Sequence, residues 1–350
     1  MHNNELPLPG GPYVVGSTSC GLTDHDRTAH LSSEDQGRVI IVKVWYPADE
    51  STPQATQKEM LWHELRDDPN TPGMMKLLLR RTAKIATHSL VQPDFSTRIS
   101  RPRILIYHHG MISFAAENTF LMEDLASHGY IVIALQHAAQ LAELKALQGM
   151  QPNNIRKQQA QLENRIRKAV GENRAALSKE YYQSASNTNR IVAARAQDTG
   201  YVLDNVMEVL GAIPGIKDCD IPTEIVGIIG YSVGGAVATD FAKSDVRAAW
   251  VVNMDGGIYG EHRDQPLSSP CLMLYSAVNH GCNASALLTQ HPATIICKTI
   301  DHTKHMNYHE IAMIYPSLRW LGITGKADPL DVIKLRNQYI IEFIQSIFSV

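Results

Sequence analysis

Ser232 stands among glycines, between two segments of different character. The run Ile225–Ile229 is short, apolar and rich in β-branched side chains, which is typical of a strand buried on both faces, whereas the residues from Ala236 onward favour a helix. A strand that turns sharply into a helix strains one residue and needs small neighbours, which the glycines around Ser232 provide. A serine at such a corner presents its hydroxyl at the carboxyl end of the strand, beside the free amide of Val233. The pattern predicts a nucleophile; the alternative is a glycine-rich turn in which the serine has no role.

A serine nucleophile needs a general base, and the base needs a carboxylate that orients it. Asp255 ends the apolar segment AAWVVNMD and is followed by two glycines, which favour a turn that presents its side chain. Asp245 precedes that segment and so lies at the wrong end of the strand, and Asp301 is too close in sequence to the candidate bases. We therefore predict that Asp255 is the acid.

Three histidines follow the apolar segment ATIICKTI: His302, His305 and His309. His302 comes almost directly after the predicted strand, and His309 falls in a segment that predicts a helix. His305 lies between them in a loop that Asn307 is suited to cap. The spacing favours His305 as the base, with His302 as the alternative. The same three histidines also suit one face of a helix, so a metal-dependent hydrolase stays a competing hypothesis, although no His-Glu-x-x-His pattern accompanies them.

The segment YHHGMIS follows an earlier predicted strand, and similar His-Gly loops carry a backbone donor in lipases and esterases. Acyl transfer needs two amides that hold the developing oxyanion. We predict that the amide of Met111, with Gly110 permitting the turn, joins the amide of Val233 in this role. His108 and His109 are expected to do no more than support the loop.

Apolar segments along the chain predict strands at 39–45, 101–110, 130–137, 225–229, 248–255, 270–277 and 293–300. Helical patterns separate several of these segments, one of them around residues 73–90, and a final helix is expected in DPLDVIKLRNQYIIEFIQSIF. Alternating strands and helices predict a mostly parallel sheet with flanking helices. With the chain order serine, acid, histidine, this is the α/β-hydrolase fold, and we expect a single domain over residues 1–350.

Nearly ninety residues separate the strands at 130–137 and 225–229, which is too long for a simple crossover. Within this insertion, apolar residues recur at near-heptad spacing and predict one amphipathic helix: Ile155, Leu162, Ile166, Val170, Leu177 and Tyr181. Because ligands bind beyond the carboxyl ends of sheet strands, we assign residues 138–187 to a helical cap. Its apolar stripe should face the pocket mouth or a partner subunit, which makes a homo-oligomer through this helix a further hypothesis.

The net charge of −3 at pH 7 gives no field that would attract nucleic acid. The N-terminal segment lacks the pattern of a signal peptide, and no apolar run has the length of a membrane span. The five cysteines include no Cys-x-x-Cys pair and suit reduced, buried thiols. We expect a cytoplasmic protein without integral membrane contact, and a site that uses no cofactor and no metal.

The segments GYSVGGAV, VVNMDGG, TKHMNYHE, YHHGM and LASHGYIVIALQH resemble motifs of the plasma and intracellular type II platelet-activating-factor acetylhydrolases. The opening segments GPYVVGSTS and VKVWYPADE resemble that family as well, so the resemblance runs from about Gly11 to the C-terminal helix. It implies Ser232 as nucleophile, Asp255 as acid and His305 as base, with oxyanion amides from Met111 and Val233. The sequence departs from the family where LQHAAQLAE replaces a Glu-His-Arg-Asp-like stretch, and in the insertion after it.

Members of that family are calcium-independent serine esterases that remove short or oxidised acyl chains from phospholipids, and bacterial relatives act on other esters. The resemblance and the residues together predict a serine esterase that hydrolyses lipid-like or other small acyl esters through an acyl-enzyme. One alternative is acyl transfer or lactone formation on the same residues, in which an alcohol replaces water. Another is a binding protein that keeps the fold without catalysis.

Overall fold

A ten-stranded sheet runs through the chain in the order β10-β9-β8-β7-β5-β6-β2-β1-β4-β3. The computed structural model describes residues 5–29, 35–49, 58–67, 71, 73–111, 113–137, 153–216, 219–280, 282–283 and 295–348. The strands are β1 Val14–Thr28, β2 Gln36–Ala48, β3 Lys58–Met60, β4 Ala86–Val91, β5 Arg103–His108, β6 Tyr130–Gln136, β7 Val226–Tyr231, β8 Ala248–Met254, β9 Cys271–Ser276 and β10 Ile295–Ile300.

Six neighbouring strands, from β6 through β5, β7, β8 and β9 to β10, are all parallel. The other four strands extend the sheet beyond β6 and include the antiparallel pairs β2–β6, β1–β2 and β3–β4. The carboxyl ends of the parallel strands therefore meet at one edge of the sheet. This edge is where the predicted nucleophile and acid lie, at the ends of β7 and β8.

Ten α-helices occur among the described residues: α1 His63–Asp67, α2 Gly73–Leu79, α3 Thr119–Ser127, α4 Asn153–Lys168, α5 Gly171–Ser184, α6 Ser186–Asp204, α7 Val206–Gly211, α8 Val233–Ala242, α9 Ile311–Ile314 and α10 Pro329–Phe348. None of them is long and apolar enough to cross a lipid bilayer. The predicted C-terminal helix is present as α10, which buries an apolar face that includes Ile333, Ile340 and Ile344.

The sheet separates two hydrophobic cores, because successive residues of its central strands point to opposite faces. In β5, Ile104 and Ile106 belong to one core, whereas Leu105 and Tyr107 belong to the other. Every residue of β7 is buried. This double burial explains why the parallel strands read as continuous apolar runs rather than as alternating ones. The predicted α/β-hydrolase architecture is confirmed.

The single amphipathic helix predicted for the insertion is wrong, because the chain breaks into α4 and α5 around Val170. Gly171 adopts a φ of 54°, which glycine tolerates and other residues rarely do, and it starts the second helix. Val170 is 81% exposed and so does not belong to the buried stripe, whereas Leu162 is buried. Residues 138–152 of the predicted cap lie outside the described residues.

The helix expected around residues 73–90 is also wrong over its second half. α2 ends at Leu79, and Ala86–Val91 forms strand β4, which pairs with β1 and β3. The Thr87 hydroxyl donates a hydrogen bond to the Glu59 carbonyl beside β3. Pairing with distant strands thus outweighs the local helical pattern.

Buried Glu123 on α3 gives the fold a testable dependence on pH. Its Oε1 accepts hydrogen bonds from the His88 amide (2.7 Å) and the Ser89 hydroxyl (2.6 Å), but burial raises the pKa of the carboxyl to about 7. The protonated form is therefore favoured by folding, so the stability it contributes is complete below about pH 4.5 and is lost as the pH rises through 7.

Glu123→Gln should remove this dependence, because the amide stays neutral in the folded and the unfolded chain. Between pH 4.5 and 8, the free energy of unfolding should fall more steeply in the wild type than in the variant, by on the order of 1–3 kcal/mol. Urea unfolding across this pH range measures the difference. If the free energy of unfolding changed with pH in the same way in both proteins, the Glu123 carboxyl would ionise normally in the folded protein.

Candidate active site

Ser232 occupies the sharp corner between β7 and α8, with a φ of 57° and a ψ of −121°. Glycine is required on both sides because the two elements touch. A Cβ on Gly230 would lie 2.0 Å from the Gly234 carbonyl oxygen, and a Cβ on Gly234 would lie 2.0 Å from the His108 carbonyl oxygen. The corner thus holds its serine at the carboxyl end of the central strand, where the sequence places it.

The structure brings Ser232, His305 and Asp255 into one hydrogen-bonded line. Ser232 Oγ lies 2.9 Å from His305 Nε2, and His305 Nδ1 lies 2.7 Å from Asp255 Oδ2. With its proton on Nδ1, the imidazole donates to the carboxylate and leaves Nε2 to accept from the serine hydroxyl. The geometry is that of a nucleophile, a general base and an orienting acid.

Asp255 is buried, and its carboxylate is held by several donors in addition to His305. Oδ1 accepts from the Ser276 amide (2.7 Å), while Oδ2 accepts from the Ser276 hydroxyl (2.9 Å) and the Asn279 amide group (2.8 Å). These donors fix the orientation of the carboxylate towards the imidazole. Sequence reasoning missed both residues, although Ser276 ends β9 and so lies beside the end of β8.

The loop that carries His305 is fixed by contacts on both sides. The hydroxyl of Tyr231, the residue before the nucleophile, donates to the His305 carbonyl (3.0 Å), and the two rings stack with centroids 5.0 Å apart. Asn307 Oδ1 accepts from the amides of Lys304 (2.9 Å) and Gly325 (2.6 Å). Asn307 therefore stabilises the loop as predicted, although it lies within a 3-10 helix that begins at His305.

The other two histidines do not reach the nucleophile. His302 is exposed, with a φ of 58°, directly after β10. His309 is buried with Nδ1 accepting from the Ile311 amide, and burial together with the charge of Arg336 lowers its pKa to about 3. The helix predicted to contain His309 is wrong, since the backbone there is extended and α9 begins only at Ile311.

The three histidines also do not converge as metal ligands. Within the described part of the chain, the one cluster whose ligand atoms lie mutually within 4.8 Å is that of Glu59, His63 and Glu64. Lys43 Nζ already forms ion pairs with both of these glutamates. The geometry therefore offers no support for the alternative of a metal site built from the histidine cluster.

The predicted oxyanion loop lies directly beside the nucleophile. A Cβ on Gly110 would be 3.5 Å from Ser232 Cβ. The Gly110 amide donates to Glu117 Oε1 (2.9 Å), which also accepts from the Tyr107 hydroxyl (2.7 Å). Met111 follows at the end of this anchored segment, and Val233 is the first residue of α8, where no earlier helical carbonyl accepts its amide hydrogen. Both amides predicted to hold an oxyanion thus adjoin Ser232.

A cavity of about 830 Å³ opens above Ser232 and His305. Helices α4 and α5 of the insertion form one wall of it with Glu163, Ile166, Arg167, Arg174, Ser178, Tyr181 and Tyr182. Ile166 of the predicted apolar stripe is therefore part of the cavity wall, while exposed Val170 is not. The described part of the insertion thus contributes one wall of the candidate site, and its assignment as a cap over 138–187 stays a prediction.

A strand-to-helix corner with a serine, an acid after the next strand and a histidine after the last one define the class of the protein: an α/β-hydrolase. The solved structure of a ferulic acid esterase from Streptomyces cinnamoneus is similar over 97% of this chain and 91% of its own, with a TM-score of 0.65 and 18% identity. That similarity concerns the fold.

The family follows from the sequence itself. The profile of platelet-activating factor acetylhydrolase, isoform II, matches residues 1–350, and the chain belongs to this family. The resemblance found in the motifs is thereby confirmed.

Two similar proteins are named platelet-activating factor acetylhydrolase. The one from dog (Canis lupus familiaris) is 24% identical over 74% of this chain and 58% of its own length, and the one from guinea pig (Cavia porcellus) is 23% identical over 97% and 77%. A protein of Schizosaccharomyces pombe named putative phospholipase A2 is 23% identical over 38% of this chain and 32% of its own. The chain thus spans little more than half of the dog protein and a third of the yeast one.

Proposed function

We propose that this protein is a serine hydrolase of carboxylic esters, with Ser232 as nucleophile, His305 as general base and Asp255 as the orienting acid. The observation that carries the proposal is the unbroken line of hydrogen bonds from Ser232 Oγ through His305 to Asp255, at the base of an open cavity. The family and its dog and guinea-pig relatives, which are acetylhydrolases by name, support the same reaction class.

In the first half of the reaction, Ser232 Oγ attacks the carbonyl carbon of the ester while its proton passes to His305 Nε2. The carboxylate of Asp255 stabilises the imidazolium that forms. The carbonyl oxygen becomes an oxyanion, which the amides of Met111 and Val233 hold. The tetrahedral intermediate collapses when the bond to the alcohol breaks, and His305 returns its proton to the leaving alkoxide, so that an acyl-enzyme remains.

In the second half, His305 takes a proton from water, whose oxygen attacks the acyl carbon. The bond from that carbon to Ser232 Oγ then breaks, His305 returns the proton to Oγ, and the carboxylic acid is released. An alcohol in place of this water would give a new ester instead, which is the acyl-transfer alternative. As far as the described residues go, the cavity is partly open to solvent, and charged side chains such as Arg167 and Lys304 line it. Water therefore reaches the acyl-enzyme, and this favours hydrolysis.

The rim of the cavity favours an amphipathic substrate. Gly322 and Ile323 line the cavity, and the adjacent Trp320 and Leu321 are 81% and 72% exposed. Trp320 and Leu321, which directly precede this part of the cavity wall in the chain, offer exposed apolar surface to an acyl chain or a lipid. Together with the names of the relatives, this favours lipid-like esters over small water-soluble ones.

Hydrolysis of a panel of p-nitrophenyl esters and dispersed phospholipids, each with and without a chelator, tests the proposed function. We expect ester hydrolysis that the chelator leaves unchanged. The rate of phospholipid hydrolysis should fall roughly tenfold or more in a Trp320→Ser, Leu321→Ser double variant, because about 1–2 kcal/mol of apolar contact disappears. The same variant should cleave a soluble acetate ester at the wild-type rate.

Met207 is 70% exposed, is not among the cavity-lining residues, and supplies the matched control as Met207→Ser. If this variant loses phospholipid hydrolysis to the same degree, the rim has no special part in binding. Activity that a chelator removes and zinc restores would contradict the serine mechanism itself.

A further inference from the structure

Arg195 on α6 is a buried cation directly behind the oxyanion loop. Its side chain is 2% exposed, and its Nη1 donates to the carbonyl oxygens of His109 (3.0 Å) and Gly110 (3.4 Å). The Gly110 oxygen also lies 2.7 Å from His109 Nδ1. A guanidinium stays charged in proteins, so this cation is permanent. The reaction described above assigns no part to Arg195.

The contacts of Arg195 fix two successive peptide planes. A trans peptide is planar, so its carbonyl oxygen and its amide hydrogen point in opposite directions and cannot turn independently. The plane between His109 and Gly110 is held at both ends, by Arg195 at the carbonyl and by Glu117 at the amide. The plane between Gly110 and Met111 is held at its carbonyl end by Arg195 and His109.

The Met111 amide is the other end of the peptide plane between Gly110 and Met111, and it is the predicted oxyanion donor. Among the described residues, no hydrogen-bond acceptor is paired with this amide. An amide that is aimed and unpaired before the reaction needs no reorganisation when the oxyanion forms. Donation from a cation to the carbonyl also polarises the peptide and strengthens its amide as a donor.

The groups around Arg195 do not change the charged state of its guanidinium. Burial, together with the charges of His137 and Arg195, holds the pKa of His108 well below its usual value, and burial and Arg195 do the same for His109. Burial lowers the pKa of His137 to about 4, although this ring contacts Asp198 at 2.7 Å. Asp198 is in turn paired with Arg38 and Arg27. The histidines are thus neutral near pH 7.

We propose that Arg195 is a positioning residue for the reaction, which fixes the Gly110–Met111 peptide so that the Met111 amide faces the oxyanion. This inference rests on the proposed serine mechanism and extends it to a residue that contacts no substrate. It predicts that losing Arg195 weakens binding of the transition state while leaving binding of the ester in its ground state unchanged.

Arg195→Met tests the proposal, because methionine fills much of the same volume without a donor or a charge. With p-nitrophenyl acetate, kcat per active site should fall roughly 10- to 100-fold, less than the loss of a whole oxyanion donor, and KM should change less than about twofold. The active-site concentration comes from burst titration, so that misfolded enzyme does not count as a loss of kcat.

A trifluoromethyl ketone provides the readout that a purely structural role would not move. Ser232 Oγ adds to its carbonyl carbon, the serine proton passes to His305, and the ketone oxygen becomes an oxyanion in the predicted hole. Its inhibition constant should weaken in Arg195→Met by about the same factor as kcat falls. A wild-type inhibition constant and kcat in this variant would overturn the proposal.

Arg38→Met is the matched control, since Arg38 is also buried and pairs with Asp198 on the same helix as Arg195. Equal losses in Arg38→Met and Arg195→Met would show that both act only through the packing of α6, and would overturn the proposal. If Arg195→Met does not fold, Arg195→Lys replaces it. A single ammonium cannot bridge two carbonyls as the guanidinium fork does, so a kcat reduced about tenfold supports the proposal and a wild-type kcat refutes it.

Failure of this inference is distinguishable from failure of the proposed function. Ser232→Ala, measured with the same ester, reports on the serine mechanism alone. An inactive Ser232→Ala beside a fully active Arg195→Met would leave the esterase intact and remove only the role of Arg195. An active Ser232→Ala would remove the proposed function.

Discussion

Ser232→Ala should lower the turnover of any ester by on the order of 10⁴- to 10⁶-fold. The variant loses the only atom that forms the acyl-enzyme, while the oxyanion amides and the cavity stay in place. The fold should be unaffected, because alanine carries the same Cβ as serine at the strained corner with a φ of 57°. Steady-state hydrolysis of p-nitrophenyl butyrate, with thermal unfolding of both proteins, measures the two effects.

Ser178→Ala is a suitable control for this prediction. Ser178 also lines the cavity, but its hydroxyl donates to the Arg174 carbonyl and does not contact His305. We expect this variant to retain turnover within a few-fold of the wild type. Near-normal hydrolysis by Ser232→Ala would mean that the ester is cleaved by another group.

His305→Asn should cause a loss of similar size, on the order of 10⁴- to 10⁶-fold, because His305 is the base that the described residues pair with the serine hydroxyl. The acylation burst with an activated ester should disappear as well. Pre-steady-state absorbance of released p-nitrophenol measures the burst directly, and phenol release does not depend on the later hydrolysis of the acyl-enzyme.

His302→Asn is the matched control, since the same change is made three residues earlier in the same loop. Asparagine tolerates a positive φ better than most residues, so it suits the φ of 58° at this position. The control should keep a full burst. A burst that is lost in His302→Asn but kept in His305→Asn would reverse the assignment of the base.

The positions of Ser232 and Asp255 in the fold could be predicted from the sequence because local features set each of them. Ser232 and Asp255 directly follow apolar strands, β7 and β8, and the small residues beside them permit the turns that expose them. His305 was harder to assign from the sequence, since three histidines share one short segment. In the fold, its hydrogen bonds to Ser232 and Asp255 separate His305 from the other two.

The supporting residues could not be predicted because their partners are far away along the chain. Arg195 and Gly110 are 85 residues apart, and nothing in the local sequence links them. Ser276 and Asn279 bind Asp255 only because β8 and β9 are neighbours in the sheet. The break between α4 and α5 has a local cause in Gly171, whose positive φ a heptad pattern of apolar residues does not reveal.

Labelling with a fluorophosphonate tests whether Ser232 is the nucleophile of an esterase. Intact mass and peptide mapping of the labelled protein should show one adduct, on Ser232, formed in proportion to the loss of ester hydrolysis. His305→Asn should suppress the labelling, since the serine is then no longer deprotonated. An adduct on another residue, or full inactivation without modification of Ser232, would exclude Ser232 as the nucleophile.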